Sequence, residues 1–250
     1  MSRPRIAVPA DGRPPGRHAQ WVWLDLRTQQ TLEEALRALR NGRSPPPPLL
    51  AEDADGYVCP AGMDVRSLPV CVAGVWHLAP VIDEAHLQDP LAGMDFAERA
   101  FAHARLRELL GRPDWRTGEL VAFHAGHKMQ LLAHDPLRYR QAGRIVAQAS
   151  RRPRQETTAA YTRLFQEALA VRADVGRHVN ALQHCLGMLT TDVHRRRVLA
   201  AAIDSYRVGL VPFDVPATLI RHQAERDGDE YIGTQTYLAP YPEDLWWLGW

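Results

Sequence analysis

The sequence predicts a mainly α protein: a C-terminal helical bundle preceded by a small α+β N-terminal module. Three observations carry this. From Asp95 onward, apolar residues recur at i, i+3 and i+4, the period of an amphipathic helix. Before that point, short β-branched and aromatic runs alternate with Gly and Pro breaks. Stop signals then divide the second part into consecutive helices with short loops, the pattern of an all-α bundle. The chain of 250 residues, 46% hydrophobic and 24% charged, suits one large domain or two small ones. The shift in period sets the division at 1–93 and 94–250.

In the first part, Ile6-Ala7-Val8, Trp21–Leu24, Tyr57-Val58, Val70–Val72 and Val75–Leu78 are strand candidates. Thr31 to Arg40 reads as a short helix, with Thr31 as N-cap and Glu34 completing a capping box. Pro45 to Pro48 form a stiff extended spacer. In the second part, a first helix carries the stripe Phe96, Ala100, Phe101, Ala104 and ends at Gly111. Trp115 to Ala133 is a second helix. Pro136 opens a third, with Asp135 as N-cap. Further helices are expected from about Glu156 to Val171, Asp174 to Leu189 and Asp192 to Val208. A turn between Pro212 and Pro216 leads to a short helix ending near Arg221. The tail from Tyr231 carries three tyrosines and three tryptophans, read as packing against the bundle.

Net charge is +1, but the charges are segregated. Residues 1–111 hold 12 Lys+Arg against 14 Asp+Glu, and residues 223–250 hold 1 against 6. The intervening residues hold 17 against 9, a net +8, and nearly all of that positive charge is arginine. Arginine offers a planar fork suited to phosphate, so the middle reads either as an anion-binding face or as an ordinary solvated helical surface. Three cysteines without C-x-x-C spacing, and an N-terminus without an apolar run, predict a reducing, cytoplasmic setting. No apolar run is long enough to suggest a membrane partner.

Four blocks carry a resemblance. The first is Phe123-His124, Lys128 to Asp135, and Tyr139-Arg140-Gln141-Ala142-Gly143-Arg144. The second is His178-Val179-Asn180-Ala181-Leu182-Gln183-His184-Cys185-Leu186-Gly187. The third runs from Tyr206 to His222, and the last is Gln235-Thr236-Tyr237 with Pro240 and Pro242. With these, residues from about Phe96 to Leu245 resemble the YbgA-like bacterial domain of unknown function. In many relatives that domain follows a desulfidase domain, and the fusions look like enzymes that remove sulfur from 4-thiouridine in tRNA. The resemblance implies that the helical part holds RNA, acting with a separate desulfidase. The stretch from Ala79 to Pro90 looks like the linker of such fusions. The first 78 residues depart from the pattern. The desulfidase domain needs three cysteines for an iron–sulfur cluster, and Cys59 with Cys71 cannot supply them. The front part therefore reads as a degenerate or replaced module, and no cofactor is expected.

The candidate site is a polar seam inside the bundle, lined by His124, His127, His134, His178, Asn180, Gln183 and His184. Burying such groups is costly unless they are hydrogen-bonded, so they belong to a network or a site. A structural network, a metal site and an anion or nucleotide pocket are the three readings. No Glu-x-x-His pair supports the metal, and none is assigned. Lys128, Arg138, Tyr139, Arg140 and Arg144 are the residues expected to hold nucleic acid, with Tyr139 and Tyr161 as stacking platforms. Cys185, on a helix beside His184, points away from it and reads as a small core residue. An RNA-binding accessory protein is the first functional expectation. The alternative is an enzyme whose active site is the His124/His127/His178/His184 seam, with or without a metal.

Overall fold

Four strands and nine α-helices form the regular structure among the described residues, which in this computed structural model are 4–9, 21–25, 54–59, 79–86, 89–189 and 192–242. The expectation of a mainly helical chain with a small sheet near its N-terminus is met. The predicted helix at 31–40, the proline spacer at 45–48, the strands at 70–72 and 75–78, and the tryptophans of the tail lie outside the described residues.

The described residues of Met1–Arg112, with those of Tyr241–Trp250, form one compact unit. Its sheet has the order β2-β1-β3-β4, from β1 (Arg5–Pro9), β2 (Trp21–Asp25), β3 (Gly56–Cys59) and β4 (Val81–Asp83). β1 and β2 are antiparallel, while β1, β3 and β4 run parallel. Helix α1 (Pro90–Leu110) packs on β1, β3 and β4. Gly56 permits that approach: a Cβ there would lie 3.0 Å from Cζ of Phe96. The fork of Arg107 grips the buried Asp55 through Nε at 2.9 Å and Nη2 at 2.8 Å. Burial raises the Asp55 carboxyl, and the bonds from Arg107 and the Arg5 N–H offset this only in part. The stretch read as a linker thus supplies a strand and a helix start. The spatial division falls between 112 and 113, one helix beyond the change of period at 93.

The second unit is Pro113–Pro240. Its helices are α2 (Thr117–Gly126), α3 (Lys128–His134), α4 (Pro136–Gln148), α5 (Arg154–Leu169), α6 (Val175–Met188), α7 (Val193–Arg207), α8 (Asp214–Asp227) and α9 (Glu230–Gly233). A 3-10 turn at Thr236–Leu238 follows. Aspartates cap many of these helices. Asp135 accepts from Leu137 N–H at 2.8 Å, Asp174 from Arg177 N–H at 2.8 Å and Asp192 from Arg195 N–H at 3.0 Å. Each such cap stabilises its helix by about 1 kcal/mol. Pro216 lies inside the first turn of α8, not at a turn before it, because the first N–H groups of a helix have no partner to lose. The core gathers Met129, Leu182, Cys185, Leu199, Ile203 and Ile220 from α3, α6, α7 and α8. Burial pushes the Cys185 thiol up to about 12, which suits the inert core role expected for it.

The single helix expected from 115 to 133 is two helices. It breaks at His127, whose φ of −101° and ψ of 6° leave the helical region. The cause lies over a hundred residues away. Gln235, buried, donates from Nε2 to the Ala125 carbonyl at 2.9 Å, and its Oε1 accepts from Met129 N–H at 3.3 Å. Those are the two groups an unbroken helix would pair with each other. The carboxamide therefore replaces one rung of the helix, a recognised cause of kinking. Thr236 Oγ1 donates to the next carbonyl, Gly126, at 3.1 Å. Gln235→Ala would leave a buried carbonyl and a buried N–H to find new partners. It is expected to lower the stability of this unit by about 2–3 kcal/mol in urea denaturation, from two lost bonds to buried groups. Gln235→Met should do no better, since it restores volume and not the amide.

Candidate nucleic-acid interface

The seam residues do not converge on one place. The buried face of α6 is Val179, Ala181, Leu182, Cys185 and Leu186. Asn180, Gln183 and His184 fall on the opposite face and are exposed. The expectation that they lie buried among the histidines is corrected by the helix's own period: at about 100° per residue, Asn180, Gln183 and His184 fall on the side away from Val179, Leu182, Cys185 and Leu186.

His127 and His134 are buried, and each serves the backbone. His127 Nδ1 donates to the Phe123 carbonyl at 2.8 Å and its ring stacks on Phe123 with centroids 4.0 Å apart. His134 Nδ1 donates to the Val171 carbonyl at 2.7 Å, and the His134 carbonyl accepts from Arg177 at 2.6 Å. Both steady the ends of the short helix α3. His178 belongs to a separate aromatic group. Its Nδ1 lies 2.9 Å from Tyr237 Oη, and its ring packs on Phe213 at 4.8 Å and Tyr237 at 5.9 Å. Among the described residues, no set of three or more His, Cys, Asp or Glu is arranged to hold a metal ion.

One group does come together. His124, half-buried near the end of α2, has Nδ1 3.1 Å from the hydroxyl of Tyr161 on α5. Tyr139 on α4 stacks over the same imidazole, planes 9° apart and centroids 5.7 Å apart. Burial, then the neighbouring Lys128 ammonium, holds the imidazole down at about 4, so the ring is neutral near neutral pH. Tyr161 is fully buried, which removes it as a stacking platform for a base and makes it an anchor for His124.

The cations divide sharply. Arg138 donates to Asp135 Oδ2 at 2.6 Å and to Glu167 Oε2 at 3.0 Å, so it ties α4 to α5 and leaves the expected phosphate-binding set. Arg163, Arg177, Arg195 and Arg207 also face carboxylates. Among the described residues, no carboxylate forms an ion pair with Lys128, Arg140 or Arg144. Arg140 and Arg144 lie one turn apart on the exposed side of α4. Gly143, between them, faces His124: a Cβ there would lie 3.4 Å from His124 Nε2. Gly143 stood in a motif of the sequence without a role, and its place beside the ring becomes visible only with the packing of α2 on α4.

Residues 128–242 match the model of a family described as "Protein of unknown function (DUF1722)". The chain is also 31% identical over 130 residues to "Uncharacterized protein YbgA" of Escherichia coli (strain K12), covering 50% of this chain and 76% of that protein. The chain belongs to the DUF1722 family. No solved structure matches it. The DUF1722 match takes in Lys128, Arg140, Gly143, Arg144 and Gln235, and begins four residues after His124. No helix of the described residues is long and apolar enough to cross a membrane.

One carboxyl in this unit is out of balance. Asp214, on the first turn of α8, has Oδ1 buried without a hydrogen-bond partner, and burial pushes its carboxyl up to about 6. A carboxyl raised above its unfolded value of about 3.9 contributes stability that is fully present below that pH. The contribution is lost as pH rises through about 6. Asp214→Asn is therefore expected to stabilise this unit near neutral pH by about 1 kcal/mol, once the solvated part of the carboxyl is discounted, and so to raise its melting temperature. The advantage should vanish near pH ~4, where both proteins are neutral at this position. An equal shift at both pH values would contradict the account.

Proposed function

We propose that this DUF1722 chain is an RNA-binding protein, with tRNA as the class of RNA that the resemblance to the helical half of thiouridine desulfidases selects. The observation that carries the reading is the division of the cations. Among the described residues of this unit six arginines, Arg138, Arg163, Arg177, Arg195, Arg207 and Arg221, face a carboxylate; Lys128, Arg140 and Arg144 do not, and Lys128 and Tyr139 lie beside the His124 imidazole. Unpaired guanidinium groups on an exposed helix are free to meet phosphate oxygens, and an aromatic ring beside them is the usual companion for unpaired bases. The net +8 of residues 112–222 adds a long-range attraction for a polyanion. In this reading Arg140 and Arg144 neutralise phosphate, Lys128 adds charge, and Tyr139 offers a ring. A separate desulfidase is the partner this role would serve.

The test is binding of the full-length protein to bulk tRNA, with and without 4-thiouridine, over a range of salt. Affinity is expected to fall steeply as salt rises. The Arg140→Ala/Arg144→Ala variant is expected to bind more weakly, with the log–log salt slope reduced by about 2, one for each phosphate contact removed. A preference for thiolated tRNA would tie binding to desulfidation. Absence of binding at low salt, or a slope unchanged in the double variant, would defeat the reading.

A further inference from the structure

The imidazole of His124 is held in a way that fixes which nitrogen carries its proton. Tyr161 is buried, and burial pushes its hydroxyl above the usual phenol range, so it keeps its proton. A phenolic hydroxyl is the better donor and an imidazole nitrogen the better acceptor. In the 3.1 Å contact, Tyr161 therefore donates and Nδ1 accepts. The neutral ring then carries its own proton on Nε2. Tyr139 stacks on the imidazole and hinders its rotation. Nε2 lies beside α4 at Gly143, where a Cβ would come within 3.4 Å. Any other residue would place a side chain next to that N–H, and glycine leaves a notch. Lys128 follows His124 by one turn, and Arg140 and Arg144 flank Gly143 on α4.

We propose that this notch binds one phosphate group, with His124 Nε2–H donating to a phosphate oxygen and Lys128, Arg140 and Arg144 compensating its charge. The proposal rests on the RNA-binding reading for the source of the phosphate. The same oxygens are presented by an RNA backbone and by a free nucleotide or inorganic phosphate. A neutral N–H donor among cations suits an anion that keeps its charge, and does not itself require a protonated histidine.

The experiment is a long-range proton–nitrogen NMR titration of the full-length, 15N-labelled protein. The probes are inorganic phosphate, then uridine 5′-monophosphate, then a short single-stranded RNA. The free protein is expected to show His124 as the Nε2–H tautomer, and phosphate is expected to move the Nε2 resonance. Tyr161→Phe removes the lock and should give a mixture of tautomers. Gly143→Ala adds one methyl at ordinary contact distance in a helix that prefers Ala to Gly, so its melting temperature should hold or rise. Its phosphate affinity should fall about tenfold, the size of one charge-assisted bond. A wild-type His124 resonance that phosphate leaves unmoved, or a Gly143→Ala protein that binds phosphate as tightly as wild type, would overturn the proposal. RNA binding that depends on Arg140 and Arg144 but is equal in wild type and Gly143→Ala would sink the notch and leave the RNA reading standing. Phosphate that moves His124 in a protein that binds no RNA would support the notch and remove the RNA reading.

Discussion

The second unit depends on one carboxamide. Gln235 stands between the carbonyl of Ala125 and the N–H of Met129, and so makes two helices of a segment that would otherwise be one. Breaking a helix in a core exposes backbone groups that water cannot reach, and each left unpaired costs about 1–3 kcal/mol. Gln235 meets both ends of the broken rung with one donor and one acceptor, and Thr236 satisfies the neighbouring carbonyl of Gly126. A carboxamide is suited to this because it carries both kinds of group on one planar tip. The residues that follow, Tyr237 and Leu238, are buried in the core of the same unit.

The break decides what each half of the segment can touch. α3 turns into the core, where Met129 and Ala133 pack with α6. α2 lies along α4, and its last turns present His124 to Tyr139 and Gly143. A straight helix would hold both stretches on one axis, and the two sets of contacts would compete. The proposed phosphate notch is thus downstream of a packing constraint set near the end of the described chain. Tyr161 completes it from α5, which Arg138 in turn ties to α4 through Glu167. Arg138, one of the three arginines of α4 expected to hold phosphate, is the one that fixes the frame around the others.

Much of this was legible in the residues, and the exceptions have physical reasons. Helix starts were readable at Asp135, Asp174 and Asp192, where an aspartate precedes the first turn. The Asp-Pro pair of Asp135-Pro136 recurs at Asp89-Pro90 and marks the start of α1, although that stretch read as a linker. The break at His127 was not legible, since its cause is a side chain over a hundred positions away and the local sequence contains no proline. The burial of the α6 polar residues was misjudged from their chemistry, while the stripe Val179, Leu182, Cys185, Leu186 already assigned Asn180, Gln183 and His184 to the other face. Arg138, Arg140 and Arg144 are alike in sequence, and only tertiary contacts separate the paired one from the unpaired two.

The claim on which the rest stands is that the Gln235 amide closes the broken rung. Amide hydrogen exchange of the wild-type protein, followed residue by residue by NMR, tests it most directly. If the claim holds, Met129 N–H, although placed at a helix start, exchanges as slowly as the core amides of α6, and the two carboxamide protons of Gln235 are protected with it. Fast exchange at Met129 together with a freely exchanging Gln235 side chain would show that the helix breaks without that amide, and would contradict the account.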